Sequence, residues 1–415
     1  MKRNDFEIMA PVGSFESLAA ALNAGADAIY FGIEGLNMRS RSSSNFNLDD
    51  LRNIVIECRE KNVKTYLTVN TIIYDNDIDY MHSIIDVAKE AGVTAIIATD
   101  ISTILYARRI GMEVHISTQE NISNIEAVKF YAQYADVMVL ARELNLEQVK
   151  IIHDAIIAED IRGPKGELVK LEMFCHGALC MAVSGKCYMS LHEMNSSANR
   201  GACNQICRRS YRLTDQETEE EIVVDNKFLM SPKDLKTIHF LNKMVDAGVS
   251  VFKIEGRARG PEYVFETVRC YSEALEAICN ESFDKDKIAN WEERLTKVFN
   301  RGFWNGYYLG QRLGEWSEKY GSSASRVKLY VAKTIRYFSK LGVGEFRMES
   351  GELHPGDEVI ITGPTTGALI FKAEELRLDL SPVDTVKKGD LFSMPVPAKV
   401  RPSDRLYLWK EINQD

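Results

Sequence analysis

At 415 residues the chain is too long for one small core and suits two or three folding units. Its net charge of −9 excludes a molecule that is basic all over, so any contact with nucleic acid must be local. No apolar run reaches the roughly 18 residues of a membrane span, and MKRNDFEIMAP enters a short apolar strand without a signal-peptide core, so the expected setting is the cytoplasm, with no membrane partner.

Along the first two thirds a repeat recurs. Ala24-Gly25-Ala26, Ala91-Gly92-Val93 and Ala247-Gly248-Val249 share one design, in which a helix ends, glycine supplies a left-handed cap, and an apolar strand begins. Ser14 can cap the first helix, whose Phe15, Leu18, Ala19 and Leu22 fall on one face. Short apolar runs predict strands at residues 6–9, 26–31, 64–69, 94–98, 112–116, 136–140, 171–175 and 250–254. Helical segments such as DLRNIVIECREKN alternate with them, and eight such repeats match a closed α/β barrel of the (β/α)8 type. A doubly wound sheet is the alternative. It would more often carry a glycine-rich phosphate loop after the first strand, where this chain has APVGSFES.

The barrel is expected over residues 1–282, with a cysteine-bearing insertion at about 176–232. A helical linker and irregular connector follow over 283–325. From residue 326 alternating strands such as VKLYVAKTI and DEVIITG, parted by turns, predict a small C-terminal antiparallel β-barrel domain.

Four of the eight cysteines fall in one stretch, Cys180, Cys187, Cys203 and Cys207, spaced C-x6-C-x15-C-x3-C, with Gly177, Gly185 and Gly201 to turn the chain between them. In a reducing compartment such a group reads as metal or redox chemistry. Zinc usually takes C-x2-C knuckles, which are missing here; a radical-SAM site would need a third cysteine where Ser210 stands; an iron–sulfur cluster tolerates the irregular spacing. Unliganded thiols are the remaining reading. Cys58, Cys270 and Cys279 lie on helical patterns and read as packing, while Cys175 ends a predicted strand.

Strand ends at the C-terminal mouth of such a barrel carry the chemistry. Here they bring Asn70, Asp100, His115, Gln119, Arg142, Glu143, Glu172, His176, Lys253, Glu255 and Arg257. Glu172, His176, Lys253 and Glu255 are the acid–base candidates. The group suits a polar ligand, or else an ion-pair network inside the barrel formed by Lys253, Glu255, Arg142 and Glu143. Lys186, Arg200, Arg208, Arg209 and Arg212 decorate the cysteine segment, a basic patch for phosphate or carboxylate, or a solvated face.

The run Glu172-Met173-Phe174-Cys175-His176-Gly177-Ala178-Leu179-Cys180 through Ser184-Gly185-Lys186-Cys187 to Ser190 resembles the signature of the collagenase-like unassigned-peptidase family. The resemblance extends through IMAPVGSFES, HISTQ, LARELNL, SPKDL, KIEGR and VRPSDRLYLW. Within that family the chain looks most like bacterial members that help make 5-hydroxyuridine at the tRNA wobble position; others hydroxylate ribosomal cytidine or the ubiquinone ring. The resemblance implies oxygen-independent RNA hydroxylation, a [4Fe-4S] cluster on Cys180, Cys187, Cys203 and Cys207, and a requirement for prephenate. Cys175 stands as a substitute for the fourth ligand. Arg39, Arg41, Arg142 and Arg257 could pair with the two carboxylates of prephenate, and tRNA phosphate could lie across the basic patch, with a second family member as a possible hetero-partner. Two rivals remain. Proteolysis lacks H-E-x-x-H, gives Ser184 no G-x-S-x-G context, and would need His176 or His192 beside a cysteine. An RNA-binding scaffold with a structural cluster or zinc site would leave the chemistry to another subunit.

Overall fold

The computed structural model describes residues 1–40, 46–219, 221–222 and 230–412. Eight parallel strands form the central sheet: β1 (Glu7–Pro11), β2 (Ala28–Phe31), β3 (Lys64–Val69), β4 (Ala95–Ala98), β5 (Glu113–Ile116), β6 (Val137–Val139), β7 (Lys170–Gly177) and β8 (Val249–Ile254). They pair in sequence order, and β8 pairs with both β7 and β1, Met9 standing opposite Lys253. The sheet is therefore closed, and the doubly wound alternative falls away. All eight predicted strands are present.

Local chemistry explains the alternation. Helix α1 (Phe15–Ala24) starts where Ser14 accepts a hydrogen bond from Ser17 N at 3.2 Å and ends at Gly25 in the left-handed conformation, a pattern repeated at Gly92 and Gly248. Inside the barrel Met9, Ala28, Tyr30, Tyr66, Ile97 and Val251 form one buried cluster, while a larger core lies between the strands and the surrounding helices. The latter includes α2 (Asp50–Glu60), α3 (Ile78–Ala91), α4 (Ile101–Arg109), α5 (Ile125–Ala132) and α6 (Leu146–Ala158).

The chain departs from the repeat after β7. Before β8 it runs through the cysteine segment, with the short helix α7 (Met189–Met194), then a short strand Asp234–Lys236 antiparallel to the end of β7, then α8 (Leu241–Asp246). After β8 come α9 (Pro261–Cys279) and α10 (Lys285–Lys297), the latter held by Arg294 to Glu266 and Glu273 at 2.9 and 2.6 Å. The connector is less irregular than expected. Phe303–Trp304 pairs with Asp234–Lys236, and Tyr308 OH donates to Phe174 O at 2.9 Å.

From Arg326 an eight-stranded antiparallel sheet follows, with a separate two-stranded ladder at Glu352–Leu353 and Val386–Lys387. It has a core of its own around Phe346, Val359, Phe392 and Leu406. Ile360, Ala368 and Trp409 belong instead to the barrel's outer core. Gly367 lies so close to α1 that a Cβ there would stand 2.7 Å from Ala20 N. Among the described residues no helix is long and apolar enough to cross a membrane.

Candidate functional site

The cysteine segment folds over the C-terminal mouth of the barrel and roofs a cavity of about 200 Å3. Two glycines dock it. Gly185, at φ +76°, presses on Gln119, whose Cγ a Cβ would meet at 2.5 Å; Gly201, at φ +78°, sits on the turn after β2, where a Cβ would fall 2.2 Å from Asn37 O. Each combines a left-handed backbone with a neighbour too close to admit a Cβ. The turns expected from the sequence are thus also the points of attachment to the barrel.

Cys180, Cys187, Cys203 and Cys207 all line this cavity. Cys180 is exposed and the others are half-buried. Burial pushes the Cys207 thiol up, against the pull of the adjacent Arg208 guanidinium, and the other three cysteines are near enough to act on it electrostatically. Among the described residues no three Cys, His, Asp or Glu side chains converge tightly enough to hold a single ion. Cys175 is elsewhere. It is buried behind the mouth with Sγ donating to Lys253 O at 3.4 Å, and burial pushes its thiol well up.

The rest of the lining is strongly cationic. Arg39, Arg142, Arg208, Arg257, Arg259, Arg301 and Lys253 face it, against Glu255 as the one acid in the lining among the described residues. Burial alone would raise the Glu255 carboxyl, but the guanidinium groups of Arg39, Arg142 and Arg257 override it and hold it down at about 2. Arg39 Nη2 meets Glu255 Oε1 at 2.7 Å, and Tyr30 OH donates to Glu255 Oε2 at 3.1 Å. Arg257 Nη1 donates to Asn37 Oδ1 at 3.1 Å and to Thr68 Oγ1 at 2.9 Å; burial pushes it down to about 10, which leaves it charged at neutral pH. Arg142 stacks on Phe174, 3.8 Å from the ring centre, and donates through Nη1 to Ala178 O at 3.1 Å. Its Nε is buried without a partner. Asn70 and Gln119 close one wall, Gln119 Nε2 donating to Asn70 O at 2.6 Å.

Several expected residues are placed differently. Glu172 lies beneath the cavity, fully buried, with Oε1 2.7 Å from Lys253 Nζ. The interior ion pairs differ from the network foreseen as an alternative: Lys253 pairs with Glu172 and Glu255 with Arg39, while Arg142 acts on Glu255 only electrostatically. His176 is sealed behind the barrel wall among Tyr263, Tyr271 and Phe303, and burial, aided by Lys236, pushes it down to about 3. It cannot act as an acid–base group in the cavity: the β7–β8 register shifts between Phe174 and His176, which breaks the alternation that would have put position 176 on the same face as Glu172 and Phe174 and turns it to the helix side. His115 points to the opposite end of the barrel, where Nε2 meets Glu113 Oε1 at 3.3 Å at the start of β5. Asp100 caps α4, accepting from Ser102 N at 2.9 Å. Arg41 lies outside the described residues.

The basic patch divides. Lys186, Arg209 and Arg212 are exposed. Arg200 is committed to Asp77 at 2.5 Å and to Ile72 O at 2.7 Å, and lies over the Tyr74 ring; Arg208 is turned inward and donates to Leu179 O, Ser231 Oγ and Pro232 O. These two hold the segment together instead of facing outward. The sequence reading missed Tyr30, Arg259 and Arg301. Arg259 follows Arg257 by two residues in KIEGRAR, in the turn beyond β8, and its nearness to Arg257 was the available signal; Arg301 comes from the connector, and no local pattern marks it.

A family model described as Peptidase family U32 matches residues 13–318. The chain is 64% identical to a protein named collagenase from Porphyromonas gingivalis, over 98% of each chain. It is 30% identical to the tRNA hydroxylation protein P1 of Bacillus subtilis, over 86% of this chain and 83% of that one. It is 34% identical to a 23S rRNA 5-hydroxycytidine synthase of Escherichia coli over 74% of this chain, which spans 46% of that protein.

Proposed function

This chain belongs to peptidase family U32, and on that premise we propose that it takes part in RNA hydroxylation, forming 5-hydroxyuridine at the wobble position of tRNA in a cluster-dependent, prephenate-linked reaction in the cytoplasm. Relatives named for tRNA and rRNA hydroxylation support the reaction class. The observation that carries the reading is the joint lining of one cavity by four cysteines and seven cationic side chains.

The donor set suits a [4Fe-4S] cluster. The four thiols are spread around a cavity instead of meeting at a point, and a cluster takes one bond from each of four separated thiolates. When bound, the cluster would supply one-electron transfer next to the ligand. The cations would offset the charge of the thiolates and leave enough positive potential for a dicarboxylate such as prephenate.

The chain's own residues have separate tasks in this reading. Arg39, Arg142 and Arg257 orient the carboxylates, with Arg142 braced on Phe174 and offering its unpartnered Nε. Glu255 stays ionised and keeps Arg39 in place. Lys253, fixed by Glu172, presents a proton and a positive charge to the floor of the cavity. Asn70 and Gln119 offer amides to a base or to the co-substrate. Outside, Lys186, Arg209 and Arg212 meet RNA phosphate, and a second family member is the candidate hetero-partner.

The collagenase name of the 64% relative favours a second reading, proteolysis. A nucleophile–base pair would be its minimum. Among the described residues the cavity lining holds thiols and Ser184 but no histidine, and His176 is sealed away from it.

The test has two parts. Protein purified without oxygen is analysed for iron, sulfide and a broad visible absorption band in wild type, Cys180→Ala and Cys175→Ala. Cluster loss is expected in the first variant only. In parallel, tRNA from cells lacking the gene, with and without complementation, is digested and its nucleosides weighed by mass spectrometry. Unchanged 5-hydroxyuridine would sink the proposed reaction, and stoichiometric zinc in colourless protein would sink the cluster.

A further inference from the structure

The turn after β2 joins two parts of the site that the sequence keeps far apart. Asn37 is fully buried. Its Oδ1 accepts from Arg257 Nη1 at 3.1 Å and from Arg39 N at 2.9 Å, and its Nδ2 donates to Ile33 O at 2.6 Å. One face of the turn therefore carries Arg39, whose guanidinium pairs with Glu255, and holds the Arg257 guanidinium through Asn37. The other face is the seat of Gly201, where Asn37 O leaves no room for a Cβ and Ser40 Oγ donates to Gly201 O at 3.3 Å. Gly201 stands two residues before Cys203. Met38 N completes the turn by donating to Asn70 Oδ1 at 3.3 Å.

We propose that Asn37 is a positioning residue that couples occupancy of the Arg39–Arg257 pair by a small dicarboxylate or phosphate-like dianion to the placement of the arm bearing Cys203. The proposal rests on the anion-binding reading of the cavity. An anion that engages both guanidinium groups fixes Arg257 and the Arg39 backbone, the two donors on which the buried Asn37 oxygen depends. A close-packed contact transmits that restraint, because Asn37 O and Gly201 have no slack between them. The anion then orders the cysteine arm, and by thermodynamic reciprocity a well-placed arm tightens the anion.

Amide hydrogen exchange on the full chain reads the coupling without any assay of chemistry. Malonate, succinate and inorganic phosphate are titrated by calorimetry, and exchange in peptides covering residues 198–207 is followed with and without each. A binding anion is expected to slow those amides by at least about fivefold, the lower end of ordinary allosteric coupling. In Asn37→Ala and in Gly201→Ala the anion still binds but the slowing disappears. Gly201→Ala leaves every arginine in place, so it keeps the test sharp if the Asn37 variant folds poorly. A merely structural role would change exchange equally with and without anion. Binding in wild type with unchanged or faster exchange overturns the coupling alone, as does slowing that survives in Gly201→Ala. Failure of all three anions to bind overturns the anion reading and this proposal with it.

Discussion

Lys253 Nζ lies 2.7 Å from Glu172 Oε1 in the interior of the barrel, where both side chains are almost wholly shielded from water and Glu172 Oε2 has no partner. The pair sits on the β7–β8 ladder, directly under the cavity. A buried charge left alone costs far more than a pair gains, which sets the first expectation. Lys253→Met should lower the unfolding free energy by about 3–5 kcal/mol, whereas Lys253→Met with Glu172→Leu should recover most of that loss. Urea denaturation of the three proteins checks it; equal stability of the single and double variants would show the pair to be wetter than it stands here.

Glu255 sets the pH behaviour. Its folded carboxyl sits at about 2, below the unfolded value of about 4.3. The sign follows: the ionised form is favoured by folding, so the contribution is fully present above about pH 4.3 and is lost as the pH falls through 2. The difference amounts to roughly 3 kcal/mol. Glu255→Gln should therefore be less stable than wild type at neutral pH and approach it in acid. Parallel denaturation at several pH values measures this, and a constant gap between the two proteins would contradict it.

Gly185→Ala should separate the roof from the barrel. A Cβ would meet Gln119 Cγ at 2.5 Å, and the left-handed backbone adds about 1–2 kcal/mol. On the proposed cluster reading the expected outcome is loss of iron and sulfide with little change in the melting of the barrel, followed by metal analysis and circular dichroism. Full metal content would mean that the segment attaches through Gly201 alone.

The divided basic patch predicts two kinds of arginine phenotype. Alanine at Lys186, Arg209 and Arg212 together should weaken RNA binding and flatten its salt dependence by about 0.7–0.9 in log–log slope for each lost phosphate contact. Arg208→Ala should instead cost about 1–3 kcal/mol of stability, since it strands the Leu179 and Pro232 carbonyls, and should leave that slope unchanged. Filter binding at several salt concentrations separates the two.

The barrel was legible because its rules are local. A period of two in strands, a period of 3.6 in helices and a left-handed glycine after helices such as α1 and α3 are all written within about ten residues. The four cysteines were legible for a similar reason, being concentrated in one stretch. Direction was harder. Glu172, His176 and Lys253 all sit near strand ends, yet one is an interior counter-ion, one is sealed on the helix side and one lines the cavity. His115 went to the wrong end, since its position in a four-residue strand leaves it nearer to Glu113 than to the mouth. Arg200 and Arg208 looked like a surface patch until their partners, far away in sequence, were in place. Asn37 carries no motif at all.

Gly367 and the α1 backbone touch so closely that the terminal sheet and the barrel cannot be treated as separable goods. Trp409, Ile360 and Ala368 fill the barrel's own outer core from the far end of the chain. A minimal fragment cut after Ser325 would strip the flank of α1 and α9 and leave it as a sticky apolar face. For anyone seeking the smallest working version of this molecule, the last ninety or so residues belong to the price of the first three hundred.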